Sequence, residues 1–356
     1  MAKAKPAKRK TTPSAAPAPR PARTAAALPP AAAPAPRSGK RWGLILGMGL
    51  LAVALVGQGV WVYLRNVKAQ AALTYMTAVA PRGQGKAQVE GCRAMAVDEA
   101  GDLYHLEGVN EGSVLQKFSA VGQWKGWTGD LKGEAALNNA FAVAAGRDGS
   151  VWVVERGSGL LKRYSSDLKY LGSFKQDSTD LTGVAVDPKG QVWVAAQSGQ
   201  VFINGADGQK AGNFAGDPDR PWVHPFRLCF DAQGRLFVID LEKGFLADPV
   251  VKAFSADGKP LACWTAKDLP ATEFISIGWD PQGFVALNDT RGDVANAKGF
   301  QLYAPDGRLK ALAPFSNNGQ SLRAIPGFCI NGKGQWILDM TPLQQGCALF
   351  TLPPLR

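Results

Sequence analysis

The chain predicts an all-β fold, on three observations. One strand-turn-strand pattern recurs six times after residue 90, every copy carries a glycine at the same turn, and the strands alternate β-branched and aromatic residues. The turn glycines Gly101, Gly149, Gly190, Gly234, Gly283 and Gly334 lie 48, 41, 44, 49 and 51 residues apart. That period accommodates four short strands per copy. Segments such as VWVV, VWVAA and LFVID fit a pleated, half-buried surface, and no amphipathic helical period interrupts them.

Ahead of the repeats, residues 1–41 contain ten Lys or Arg and no acidic residue, set among Ala and Pro. With almost nothing large and apolar to bury, this tail is expected to be disordered. The whole chain carries a formal charge of +11, but beyond residue 41 it holds 30 basic against 29 acidic residues. The high isoelectric point therefore belongs to the tail, and a nucleic-acid-binding face on the large domain is not implied.

Trp42 to Leu64 runs 23 residues without a charge. At 1.5 Å per residue it would span roughly 34 Å as a helix, enough to cross a hydrocarbon core of about 30 Å. Trp42 stands at one end and Trp61 with Tyr63 at the other, as interfacial aromatic rings do. The basic tail before it predicts a cytoplasmic N-terminus and a C-terminal domain across the inner membrane, periplasmic in a bacterium. A cleaved signal peptide is the rival, since Ala69-Gln70-Ala71 has the small-x-small form. Against it stand an apolar run longer than a signal core and an unusually long basic lead. Gly43 and Gly47 form a GxxxG spacing through which two such helices could pair as a homodimer.

Residues 65–72 then read as a short linker, and 73–356 as the repeat domain. The copies begin with CRAMAVDEAGDLYHLEG, FAVAAGRDGSVWVVERG, TGVAVDPKGQVWVAAQSG, FRLCFDAQGRLFVIDLEKG, ISIGWDPQGFVALNDTRGD and GFCINGKGQWILDM. In each the turn glycine tolerates positive φ, and an Asp or Asn shortly before it in most copies can bond its own turn backbone. The sixth copy ends after CALFTLPPLR, one strand short. The β-prone LTYMTAVA, Leu73 to Ala80, is expected to complete it beside Cys347 to Leu352, removing an open sheet edge.

The pattern GVAVDPKGQVWVA, with VLQKFSAVGQWKGW as its second half, resembles the NHL-repeat family of β-propellers, over about residues 73 to 356. That resemblance implies a six-bladed disc used most often as a protein- or ligand-binding platform. Related propellers act as lactonases, lyases and esterases, so fold alone does not establish activity.

Counting six residues on from the turn glycines gives Glu107, Glu155, Ala196, Asp240 and Asp289, with Asp339 one place early. Carboxylates gathered at one strand end could hold a hard cation such as Ca²⁺, or serve as acid and base. The structural alternative is that each satisfies backbone N–H groups of a nearby turn, as Asp at this place usually does in NHL repeats. The gluconolactonase and paraoxonase relatives hold their metal with Glu, Asn and Asp in the central channel, but their motifs find no residue-by-residue match here. With only His105 and His224, a multi-histidine site is excluded.

Cys92, Cys229, Cys263, Cys329 and Cys347 are scattered, with no CxxC pair, and read as small core residues or one disulfide. Asn288-Asp289-Thr290 and Arg291-Gly292-Asp293 are short enough to be accidental. Trp124, Trp127, Trp222 and Phe226 are candidate surface aromatics. The expectation is a membrane-tethered platform for membrane or envelope proteins, with a metal-dependent lactonase, esterase or lyase as the competing class.

Overall fold

The computed structural model describes residues 69–70, 73–109, 112–242, 249–265, 276–288, 300–313, 316–317, 320–321, 327–340 and 345–355. The apolar stretch 42–64 and Asp289 lie outside them. Among the described residues no helix is long and apolar enough to cross a membrane.

Six antiparallel sheets follow one another along the chain and form a six-bladed propeller. Blade 1 runs Cys92–Val97, Leu103–Val109, Gly112–Phe118 and Trp124–Trp127; blade 2 runs Ala140–Ala145, Val151–Glu155, Leu160–Tyr164 and Tyr170–Lys175. Blade 3 comprises Leu181–Val186, Val192–Ala196, Gln200–Asn204 and Lys210–Asn213, and blade 4 Pro225–Phe230, Leu236–Asp240, Val250–Phe254 and Pro260–Thr265. Blade 5 is Ser276–Asp280, Phe284–Asn288, Phe300–Tyr303 and Leu309–Ala313. Blade 6 takes Phe328–Ile330, Gln335–Asp339 and Cys347–Thr351 from the C-terminal end of the chain.

Local chemistry sets each first hairpin. All six turn glycines adopt φ between 72° and 97°, where a side chain is strained. The Asp187 Oδ1 accepts the backbone N–H groups of Lys189 and Gln191, both at 2.9 Å. Asp231 does the same for Gln233 and Arg235, and Asn331 for Lys333 and Gln335. Blade 2 has Gly146 at the equivalent place, and Asp148 takes over by accepting the Ser150 N–H at 3.0 Å. The expected Asx chemistry is therefore present even where the residue pattern departs from the repeat.

Six apolar clusters fill the six seams between neighbouring blades. Aromatic rings bridge several of them. Phe237 of blade 4 stacks on Trp279 of blade 5 at 5.9 Å and 8°, and Trp336 of blade 6 donates its indole N–H to Asp280 of blade 5 at 2.7 Å.

The ring closes as the missing strand predicts. Thr74–Ala80 pairs antiparallel with Cys347–Thr351, so blade 6 is built from both ends of the chain. Gly346 makes the crossing feasible, because a Cβ there would lie 1.8 Å from the Ala80 carbonyl oxygen. One feature differs from expectation. Ala69–Gln70, within the stretch read as a linker, pairs in parallel with Ala311 and Leu312 at the edge of blade 5.

Candidate functional site

The described carboxylates at the ends of the second strands are buried, and Glu155 and Asp240 serve their own blades. In blade 2, Glu155 accepts the Asn138 backbone N–H at 2.6 Å, the Ser158 hydroxyl at 3.1 Å and the Lys162 ammonium at 2.9 Å. In blade 4, Asp240 accepts the N–H groups of Val223 and His224, the latter at 2.7 Å, and the Lys252 ammonium at 2.7 Å. Burial works against charge on Lys252, but bonds to Asp240 and Glu242 more than offset it and raise its pKa above 10.5. Each carboxylate thus fastens the chain entering its blade to the third strand.

The third-strand partners are legible once their register is known. Lys162 faces Val153 and Lys252 faces Val238, and the same position holds Gln116, opposite His105, in blade 1. Blade 3, whose second strand ends in Ala196, has Phe202 there, opposite Val194. Carboxylate and ammonium are replaced together by methyl and ring. In blade 5 the strand-end position belongs to Asn288, which pairs with Ser276, so counting from the glycine overshoots by one to Asp289.

Glu107 and Asp339 differ from the other two, because both face His105. The His105 Nδ1 lies 3.2 Å from Glu107 Oε1, and Nε2 lies 3.5 Å from Asp339 Oδ2. Glu107 is itself fixed by the Gln116 amide at 2.9 Å and more loosely by the Glu90 N–H at 3.4 Å. Cys92 completes a group in which one donor atom each from Cys92, His105 and Asp339 lies within 4.8 Å of the others. His105 is fully buried, Asp339 is 1% exposed, and Cys92 borders the apolar cluster of the blade 6 to blade 1 seam. Gly327 leaves room for the thiol, since a Cβ there would meet Cys92 Sγ at 2.7 Å.

Burial raises the Cys92 thiol to about 12 despite His105 beside it, and raises Cys347 and Cys329 as well. For His105 burial acts downward, but Cys347, Cys92 and Asp339 outweigh it and place the pKa well above 6.5. All five cysteines are free thiols. Cys92 and His105 share the first hairpin of blade 1, whereas Asp339, which completes the group, comes from the opposite end of the chain.

The axis of the propeller holds a cavity of about 820 Å³. First strands of all six blades wall it, with Met95, Val143, Val184, Leu228, Ile277 and Phe328 supplying apolar side chains, and the turns that follow them adding Asp98, Arg147, Asp187, Asp231 and Lys333. At the carboxylate end, the first strands of blades 1 to 4 each carry a bulge, at Arg93, Phe141, Thr182 and Phe226. Bulges re-aim side chains at such rims. Arg227 packs over Phe141 at 4.7 Å and Phe226 at 5.0 Å, and donates to the carbonyls of Phe141 and Thr182. Burial lowers its pKa to about 10.

Of the candidate surface aromatics, Phe226 is fully buried and Trp222 packs on Phe214 and Phe254, whereas Trp124 is 40% exposed. His224 is partly buried, its Nδ1 lying 2.8 Å from the Gln197 carbonyl.

No protein-family model and no curated protein matches the chain, so the resemblance to NHL repeats rests on the repeat pattern. Solved structures do match. The chain is similar to a streptogramin B lyase, at 11% identity and a TM-score of 0.51, over 79% of this chain and 97% of that one. It is similar to the WD40 repeats of RRP9, at 11% identity and a TM-score of 0.55, over 80% and 99%. The structure of U3-55K matches at 11% identity and a TM-score of 0.54, over 78% and 98%. Likeness at this identity shows the fold alone, and the fold is a six-bladed β-propeller.

Proposed function

We propose that the chain is a membrane-tethered, extracytoplasmic binding platform of the NHL-like propeller type, engaging a membrane or envelope protein through its propeller domain. The observation that carries this reading is the use made of the carboxylates that recur at the strand ends. Glu155 and Asp240 spend their oxygens on backbone N–H groups and buried lysines of their own blades, which is scaffold chemistry. The axial cavity offers apolar side chains on its wall and charged ones at its turns, suited to a short segment of a partner that carries both. A tether supplied by residues 42–64 would hold this surface at high local concentration beside partners in the same membrane.

The competing reading, a Ca²⁺-dependent lactonase, esterase or lyase, would require Glu155 and Asp240 to give up those lysines to a cation. The two are separated by experiment. Photo-crosslinking from Gln233 or Lys333, which line the cavity, in the full-length chain in membranes is expected to capture one specific envelope protein. Purified full-length protein that retains Ca²⁺ and hydrolyses lactones or esters, with both lost in Glu155→Gln, would sink the platform reading.

A further inference from the structure

The seam between blades 6 and 1 holds a buried polar group that apolar packing does not account for. His105, on the second strand of blade 1 opposite Met95, is fully buried beside Asp339 and Cys347 of blade 6. Its Nδ1 lies 3.2 Å from Glu107 Oε1. A carboxylate accepts only, so the imidazole donates its Nδ1–H to Glu107 and turns the other nitrogen, Nε2, toward the seam. That nitrogen meets no partner in good hydrogen-bond geometry, although Asp339 and Cys347 lie beside it.

What faces Nε2 is Asp339 Oδ2, at 3.5 Å, with Cys92 Sγ in the same group. A lone pair on Nε2 would face a carboxylate oxygen, a repulsive arrangement in a buried site that either a proton on Nε2 or a metal cation between the two removes. The spacing is longer than a hydrogen bond. It is close to the separation of two ligands on one tetrahedral ion, since N and O donors each about 2.0 Å from zinc stand roughly 3.3 Å apart. The second carboxylate on Nδ1 completes the familiar relay in which an acidic group orients a metal-bound imidazole.

We propose that Cys92, His105 and Asp339 form a structural site for a zinc-class transition metal that ties blade 6 to blade 1. Thiolate and imidazole donors select such an ion over Ca²⁺, which takes oxygen ligands, so this is a different site from a ring of carboxylates. Cys347 also abuts the imidazole and is a further thiol available to the ion. The placement gives the site a purpose. Cys92 and His105 belong to the first blade, while Asp339 belongs to the blade completed by the N-terminal strand, so the ion would lock the seam where the ring closes. Glu107 acts as a positioning residue, holding His105 in the ligating tautomer.

Cobalt is the probe. Untagged full-length chain, purified in detergent under reducing conditions and stripped with chelator, is titrated with Co²⁺ alone. The expected result is one equivalent bound, with a thiolate-to-cobalt charge-transfer band and the intense visible bands of a four-coordinate ion, both abolished by Zn²⁺. Cys92→Ser should lose about half or more of the charge-transfer band, and Asp339→Asn should weaken binding at least tenfold. Glu107→Gln should keep the band while weakening affinity about 10- to 100-fold. Cys229→Ser, at the axial cavity, should match the parent. If Cys92→Ser does not fold, Asp339→Asn and Glu107→Gln still report. Folded parent protein that takes up no Co²⁺, an unchanged band in Cys92→Ser, or a Cys92 to Cys347 disulfide in protein alkylated before lysis would each overturn the assignment.

Discussion

Glu155 and Lys162 form a buried pair at 2.9 Å, and neither side chain is more than 2% exposed. Removing one member of such a pair leaves a charge in low dielectric and costs about 3–5 kcal/mol, whereas replacing both with well-packed apolar groups is often neutral. Blade 3 contains that replacement, Ala196 with Phe202. Glu155→Ala is therefore expected to lower stability by about 3–5 kcal/mol, and Glu155→Ala combined with Lys162→Phe to recover part of the loss. Chemical denaturation of the four proteins gives the coupling energy, expected to favour the double variant by about 1–3 kcal/mol. Additive losses would mean that the lysine and carboxylate act separately. The sequence displays both halves of this swap, in LLKRY against QVFIN and in VWVVE against VWVAA. It conceals the pairing, because the register of the second hairpin decides which lysine faces which acid.

At the scale of an element, the closing strand depends on one close approach. Gly346 sits where the N-terminal strand passes, and a methyl group there would fall 1.8 Å from the Ala80 carbonyl oxygen, against backbone that has no rotamer to escape into. Gly346→Ala should cost at least about 1–3 kcal/mol, the usual range for overpacking, and lower the thermal midpoint. Gly212→Ala is the control, because nothing lies within 4 Å of a Cβ at that site. Equal midpoints for the two variants would show that Thr74–Ala80 does not seat as described. Closure was legible because blade 6 lacks a strand and LTYMTAVA is a strand without a sheet. The short parallel bridge at Ala69–Gln70 was not, since two residues carry no periodicity.

For the whole molecule, the repeat was readable because turn glycines and Asx bonds are local and recur in register. The cluster of Cys92, His105 and Asp339 was hidden because it exists only after the ring has closed, bringing the first blade against the last. Orientation is a property at this scale too. With a basic lead before the apolar stretch 42–64, protease added to intact spheroplasts should digest the propeller-bearing part, or trim it where loops allow. Full protection until the cells are lysed would place that part in the cytoplasm and remove the extracytoplasmic half of the proposal.

The strand that closes the ring follows the expected tether with only the two-residue Ala69–Gln70 bridge between, and this makes it the mechanical port of the propeller. Tension applied from the N-terminal side would reach the Ala69–Gln70 bridge first and then the rung between Thr74 and Thr351, before loading any other blade. Yielding there would detach the clasp while leaving blades 2 to 5 internally paired. The seam that holds His105 and Cys92 would then be the first interior surface uncovered by a pull on the N-terminal side.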